Sequence, residues 1–183
     1  MPISQGDTIP NVSIKTIGPD GPEDIATGEL FAGKRVVLFG VPGAFTPGCS
    51  NTHMPGFVDK AGQILEKADT LACMAVNDAF VMRAWQQNQD AKNILMLADG
   101  NAEFTRALGM EKDASGACMG VRCERFALIA KDGVVSYVGI DTERGVIDFE
   151  EQCHYHSGTP GVAMEVDQPP MAPGKKTLTE HAT

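Results

Sequence analysis

The sequence predicts an α/β domain with a mixed central sheet flanked by helices, and three observations predict it. Short, β-branched apolar runs alternate with segments of helical period between residues 35 and 108. Two further runs, 125–130 and 134–138, flank Lys131-Asp132-Gly133. The 183 residues are 43% hydrophobic and 21% charged, an ordinary soluble composition. A chain of this length buries about 70% of its unfolded surface, so one core holds it without a disulfide framework.

Each element has a local reason. Val12-Ser13-Ile14-Lys15 alternates apolar and polar, as an early strand with one buried face does. Arg35 to Gly40 is short and continuously apolar after its first residue, as a strand covered on both faces is. A loop rich in Pro and Gly follows, VPGAFTPGCS. Met54, Phe57, Val58, Ala61, Ile64, Leu65 and Ala68 then recur at spacings of three and four, one face of a helix with Pro55 near its start. Leu71 to Val76 reads as a second buried strand, Asn77 and Asp78 as caps, and Ala79 to Gln89 as a helix. Ile94 to Leu97 is the next strand, and Asn101 to Leu108 a short helix stopped by Gly109. Asp132-Gly133 signals a hairpin between the last two runs. Alternation predicts parallel pairing through helical crossovers, and the hairpin adds antiparallel strands. The expected domain is 1–150. Residues 151–183 are expected to be an atypical tail, extended or disordered, because Ser157 to Lys176 holds four prolines and three glycines.

Composition removes several classes of function. Lys+Arg 15 against Asp+Glu 24 gives a net charge of −9, which repels phosphate backbones, so no nucleic-acid partner is expected. The longest apolar stretch, Val36 to Phe45, is too short to span a bilayer, and no secretory signal is visible in MPISQGDTIP. Five cysteines without such a signal suggest free thiols in a reducing compartment, the cytoplasm.

Cys49 is the residue placed for chemistry. It follows a strand and a turn-rich loop and immediately precedes a helix, so unpaired N–H groups and the positive end of the helix dipole are expected at its sulfur. That environment favours thiolate, the nucleophilic form. Thr46 supplies a hydroxyl three residues earlier, and Pro42 and Pro47 stiffen the loop. Such a site suits attack on a small polarised oxygen electrophile. A fixed cation would stabilise the charge on the departing oxygen. The competing reading is a small buried residue at a helix start.

PGAFTPGCS at 42–50 resembles the Pro-x-x-x-Thr-x-x-Cys motif of the peroxiredoxins, and PGAFTPGCSNTHMPGF at 42–57 the type II, peroxiredoxin-5-like subfamily. VNDAFVMRAW at 76–85, LMLADGNAEFTRALG at 95–109 and GVRCERFALIAKDGVV at 120–135 match that subfamily in the same order. The resemblance spans roughly residues 3–147. It implies a thioredoxin-like fold and a peroxidase acting on hydrogen peroxide and alkyl hydroperoxides. In that family Cys49 would be the peroxidatic cysteine, oxidised to sulfenic acid. Thr46 would orient the peroxide and contact the sulfur, and Pro42 would shield the sulfenic acid. Arg125 would be the strand arginine holding thiolate and peroxide, with Arg122 a competitor by sequence. Glutaredoxin with glutathione, or thioredoxin, would be the reductant. A homodimer through the active-site loop surface is implied, and no organic cofactor or metal is needed.

The resolving thiol is where the pattern departs. Cys73 matches the position used in some plant-like members, yet it sits in an apolar strand pattern and reads equally well as a core thiol. Cys153 lies in the region other members use but does not align cleanly. Cys123, two residues before Arg125, shares its face if both lie on one strand, and Cys118 reads as incidental. Gly48 and His53 are further pocket candidates. His53 lies one turn beyond Cys49, as a general base or, on the blander reading, a partly exposed helix residue. Cys153-His154-Tyr155-His156 has ligand residue types but no zinc spacing, so no metal is expected. Two other functions compete. A thioredoxin-like protein-thiol oxidoreductase would show Cys-x-x-Cys, whereas Thr46 and Thr52 flank Cys49 at three residues. A redox-sensing or holdase protein would need no Arg125.

Overall fold

The computed structural model describes residues 1–141. A seven-stranded mixed sheet is its centre. The strands are β1 (Ser13–Gly18), β2 (Gly21–Ala26), β3 (Arg35–Gly40), β4 (Thr70–Ala75), β5 (Leu95–Ala98), then, after a separate short pair, β8 (Phe126–Lys131) and β9 (Val134–Ile140). The short pair is β6 (Glu111–Asp113) with β7 (Val121–Cys123). The order across the large sheet is β2-β1-β5-β4-β3-β8-β9. β3, β4 and β5 pair in parallel, and the remaining neighbours are antiparallel, so the mixed sheet expected from the alternation is present. The helices are α1 (Thr27–Phe31), α2 (Met54–Leu65), α3 (Ala79–Asn88) and α4 (Glu103–Ala107).

The strand pattern divides the core. Alternate residues of a strand point to opposite faces. Val37 and Phe39 of β3 therefore join Cys73, Ala127 and Ile129 in one cluster, covered by Phe57, Ile64, Met82 and Trp85 of α2 and α3. Val36 and Leu38 join Ala72, Met74 and Leu128 in the other, covered by Leu30, Phe31 and Phe104 of α1 and α4. Each fully buried large side chain contributes roughly 1.5–3 kcal/mol. Asp78 caps α3, accepting from Phe80 N and Val81 N at 2.9 and 3.0 Å, as the sequence predicts. Asp132 and Gly133 both have positive φ, 50° and 75°, the turn their identities predict between β8 and β9.

Four differences from the sequence reading matter. The early strand runs to Gly18 and is one arm of a hairpin whose second arm, β2, was not expected. The helix at Cys49 begins before that residue: helical turns run from 47 to 65, with a π-helical segment at Cys49–His53. The π bond runs from Met54 N to Cys49 O, one residue wider than an α bond. Pro55 lies inside this helix, and its ring clashes with the carbonyl four residues back, which accounts for a wide turn there. The helix expected at 101–108 shortens to α4 because Ala102 is left-handed, φ 57°. Arg125 lies between β7 and β8 rather than on a strand. The tail, 151–183, lies outside the described residues.

Candidate active site

β3 delivers the chain to the site. Val41 N donates to Met74 O at 3.0 Å, continuing the β3–β4 ladder one residue past the strand. The loop then turns under two side chains. Ala44 N donates to Asn77 Oδ1 at 3.0 Å, and the Thr46 hydroxyl donates to Gly43 O at 2.9 Å. Phe45 is left-handed, φ 63°, and exposed. Pro47 opens the helix, where a missing N–H costs nothing. The first helical bond runs from Ser50 N to Thr46 O, 2.9 Å, so the N–H groups of Gly48 and Cys49 precede the i→i−4 ladder.

Cys49 therefore sits in the first turn of a helix, fully buried. Arg125 Nη2 lies 3.6 Å from its Sγ. The guanidinium is itself held: Asp141 Oδ2 is 3.6 Å from Arg125 Nε, and Asp141 N donates to Arg125 O at 2.9 Å. The two side chains are only 12% and 8% exposed, so neither charge is well screened by solvent. Arg125 Nη1 is buried with no hydrogen-bond partner among the described residues. A fixed, partly desolvated cation thus faces a cysteine at a helix start. This arrangement stabilises negative charge on sulfur and leaves an N–H to bind an incoming oxygen.

The other sequence candidates separate. Thr46 belongs to the loop and helix start that carry Cys49. Pro42 and Gly48 are half-buried members of the same segment. His53 is fully buried, not partly exposed, with its ring edge-on to Phe39 and Phe57 at 5.4 Å each. Those two phenylalanines stack at 3.9 Å, so His53 sits against an aromatic pair. Cys73 is buried in β4 between Phe39 and Met96, in the same core cluster as Cys49. Burial, then charge on Cys49 and on Cys123, push its thiol well above the usual range. Cys123 ends β7 and packs in the opposite cluster, so the shared strand face expected for it and Arg125 does not exist. Burial also pushes its thiol up. Cys118 is exposed, and all four of these thiols are free. Cys153 and its histidine neighbours lie outside the described residues. No group of three metal-ligating side chains occurs among the described residues.

Three residues of the site were not anticipated. Asp141 faces Arg125 across the β8–β9 hairpin, one residue out of simple register because a bulge falls at Ile129/Ala130. Asn77 holds the loop as well as preceding the α3 cap. Trp85 donates from Nε1 to Ser50 Oγ at 3.0 Å, pinning the helix next to Cys49. The hairpin symmetry about Asp132-Gly133 is the one sequence signal that reaches Asp141.

Comparison with known proteins adds to this geometry. The family described as Redoxin matches residues 4–152. "Peroxiredoxin-2E-2, chloroplastic" of Oryza sativa subsp. japonica is 49% identical over 147 residues, covering 76% of this chain and 65% of that protein. The chain thus spans less than two thirds of that relative's length. "Peroxiredoxin-2C" of the same organism is 44% identical over 143 residues, covering 76% of this chain and 88% of that protein. The crystal structure of reduced Prx3 in complex with H2O2 from Vibrio vulnificus superimposes with a TM-score of 0.76 at 46% identity. It covers 79% of this chain and 92% of that one.

Proposed function

The chain belongs to the Redoxin family as a type II peroxiredoxin with a thioredoxin-like fold, and we propose that it is a thiol peroxidase whose peroxidatic residue is Cys49. One observation carries the reading: a guanidinium 3.6 Å from the sulfur of a buried cysteine in the first turn of a helix. The relative crystallised with H2O2 supports hydrogen peroxide as the substrate, and the family resemblance extends the proposal to alkyl hydroperoxides.

The chemistry follows from the donors. The Cys49 thiolate attacks the terminal, protonated oxygen of the hydroperoxide. An S–O bond forms, the O–O bond breaks, and its electron pair leaves on the second oxygen, which takes a proton from water. Sulfur ends as a sulfenic acid and the peroxide as water or an alcohol. Arg125 stabilises the sulfur before attack and the oxygens during it, since a guanidinium never loses its charge. The Thr46 hydrogen is committed to Gly43 O, so its oxygen is left to accept a hydrogen bond from the peroxide O–H. Pro42, half-buried on the loop, shields the product from further oxidation.

A thiol then attacks the sulfenic sulfur and releases water. Glutaredoxin with glutathione, or thioredoxin, supplies it from outside. Within the chain Cys73 is the proposed resolving thiol, because it shares a core cluster with Cys49. Its burial means that the strand or the loop must open first. Exposed Phe45 on the active-site loop supports a homodimer through that surface, and the cysteine usage supports a cytoplasmic setting. The test is peroxide consumption by wild type and Cys49→Ser with each reductant. Loss of turnover in the variant is expected; equal rates would sink the proposal.

A further inference from the structure

Among the described residues, Arg122 and Arg125 both flank the site, and Arg125 is the one that faces the sulfur. Arg122, on β7, uses its guanidinium as a fork. Nε donates to Met119 O at 2.9 Å and Nη1 donates to Val76 O at 2.9 Å. One rigid group thus ties the β6–β7 hairpin to the end of β4. The active-site loop passes close by it at Gly43. Gly43 faces the staple with room for little more than its hydrogens: an added Cβ would lie 3.3 Å from Met119 Cε, 3.4 Å from Arg122 Nη1 and 3.3 Å from Thr46 Cγ2. Gly43 O in turn accepts the Thr46 hydroxyl, and Thr46 O accepts the first bond of the Cys49 helix. Asn77, the residue after Val76, fixes Ala44 from the same side.

We propose that Arg122 is a positioning residue for the peroxidase site: it sets the height of Gly43, and through Gly43 the place of the Thr46 hydroxyl. The inference rests on the peroxidase reading. It also explains why a second arginine stands three residues before Arg125 without competing for the sulfur: both its bonded nitrogens are spent on carbonyls. A lysine cannot stand in, because an ammonium is a point donor and does not present the two N–H groups at a fixed angle.

The experiment measures two rates on pre-reduced Cys49 at one pH, reaction with H2O2 and alkylation by iodoacetamide. The first needs Thr46 in place. The second needs only the sulfur and its guanidinium. Arg122→Ala is expected to lose about tenfold or more in the peroxide rate, the scale of a small misplacement of a catalytic group. Its alkylation rate should be unchanged or higher. Arg122→Lys is expected to recover only part of the loss. Arg122→Met keeps the stem's packing and removes both donors, and should show the same divergence; it carries the test if Arg122→Ala does not fold. A peroxide rate within about twofold of wild type, or both rates falling in parallel, would overturn the inference. So would full recovery by lysine. Wild-type protein that leaves H2O2 unconsumed would overturn the peroxidase reading and this inference together, whereas an active wild type with unchanged variants would overturn this inference alone.

Discussion

Replacing Arg125 by glutamine while replacing Asp141 by asparagine removes the cation from Cys49 without leaving one half of a buried ion pair behind. Removing Arg125 alone would take from Asp141, 8% exposed, the guanidinium 3.6 Å away, and breaking a buried pair typically costs about 3–5 kcal/mol. The double variant avoids that cost and isolates the chemistry. At 3.6 Å and an effective dielectric near 20, a guanidinium and a thiolate attract by roughly 4–5 kcal/mol. Asp141 draws part of the guanidinium's field, and water replacing it recovers part of the solvation. A hydrogen bond to a charged group is worth about 1.5–3 kcal/mol net, and we take the upper half of that range. At about 1.4 kcal/mol per decade, the peroxide rate constant should fall about a hundredfold. Stopped-flow mixing of the pre-reduced protein with H2O2 measures it, using the Trp85 emission, since that indole is bonded to Ser50 beside Cys49. Arg125→Lys keeps the charge but cannot reach Asp141 and the sulfur as a fork, so it should fall between. A folded double variant within about threefold of wild type would refute the role given to Arg125.

Two further outcomes follow from burial. Cys73 and Cys123 both have thiols raised in the folded state, so they stay protonated where the unfolded chain, with the ordinary value of 9.0, ionises. Their contribution to stability is complete below about pH 9 and is lost as pH rises above it, at about 1.4 kcal/mol per pH unit for each thiol. Urea midpoints at a series of pH values should fall through this range, and Cys73→Ala should flatten the decline; an unchanged slope would count against the burial argument. Gly40→Ala places a Cβ against the ring of fully buried Phe126 and should cost about 1–3 kcal/mol in the same assay; a neutral effect would show that the ring moves freely.

How much of this is written in the sequence depends on the range of each interaction. β3 is legible because Val36, Val37, Leu38 and Phe39 are apolar without a break, as burial on both faces requires. The closing hairpin is legible because Asp132 and Gly133 tolerate positive φ. β2 is not, because GPEDIA carries Pro22 and two acids and survives as an edge strand paired only to β1. β6 and β7 are three residues each, shorter than any periodicity can register. Cys49 and Arg125 can be named from local motifs, but the Asp141 pairing crosses a bulge that shifts register by one residue. The burial of His53 depends on Phe39, on a strand 14 residues earlier by number.

The most direct test of the central assignment is the intact mass of the reduced protein after one equivalent of H2O2, followed by peptide mapping. A gain of one oxygen on Cys49, or a loss of two hydrogens with Cys49 in the resulting disulfide, is the expected result, and Cys49→Ser should gain neither. Oxidation that falls on another cysteine while Cys49 stays reduced would contradict the assignment.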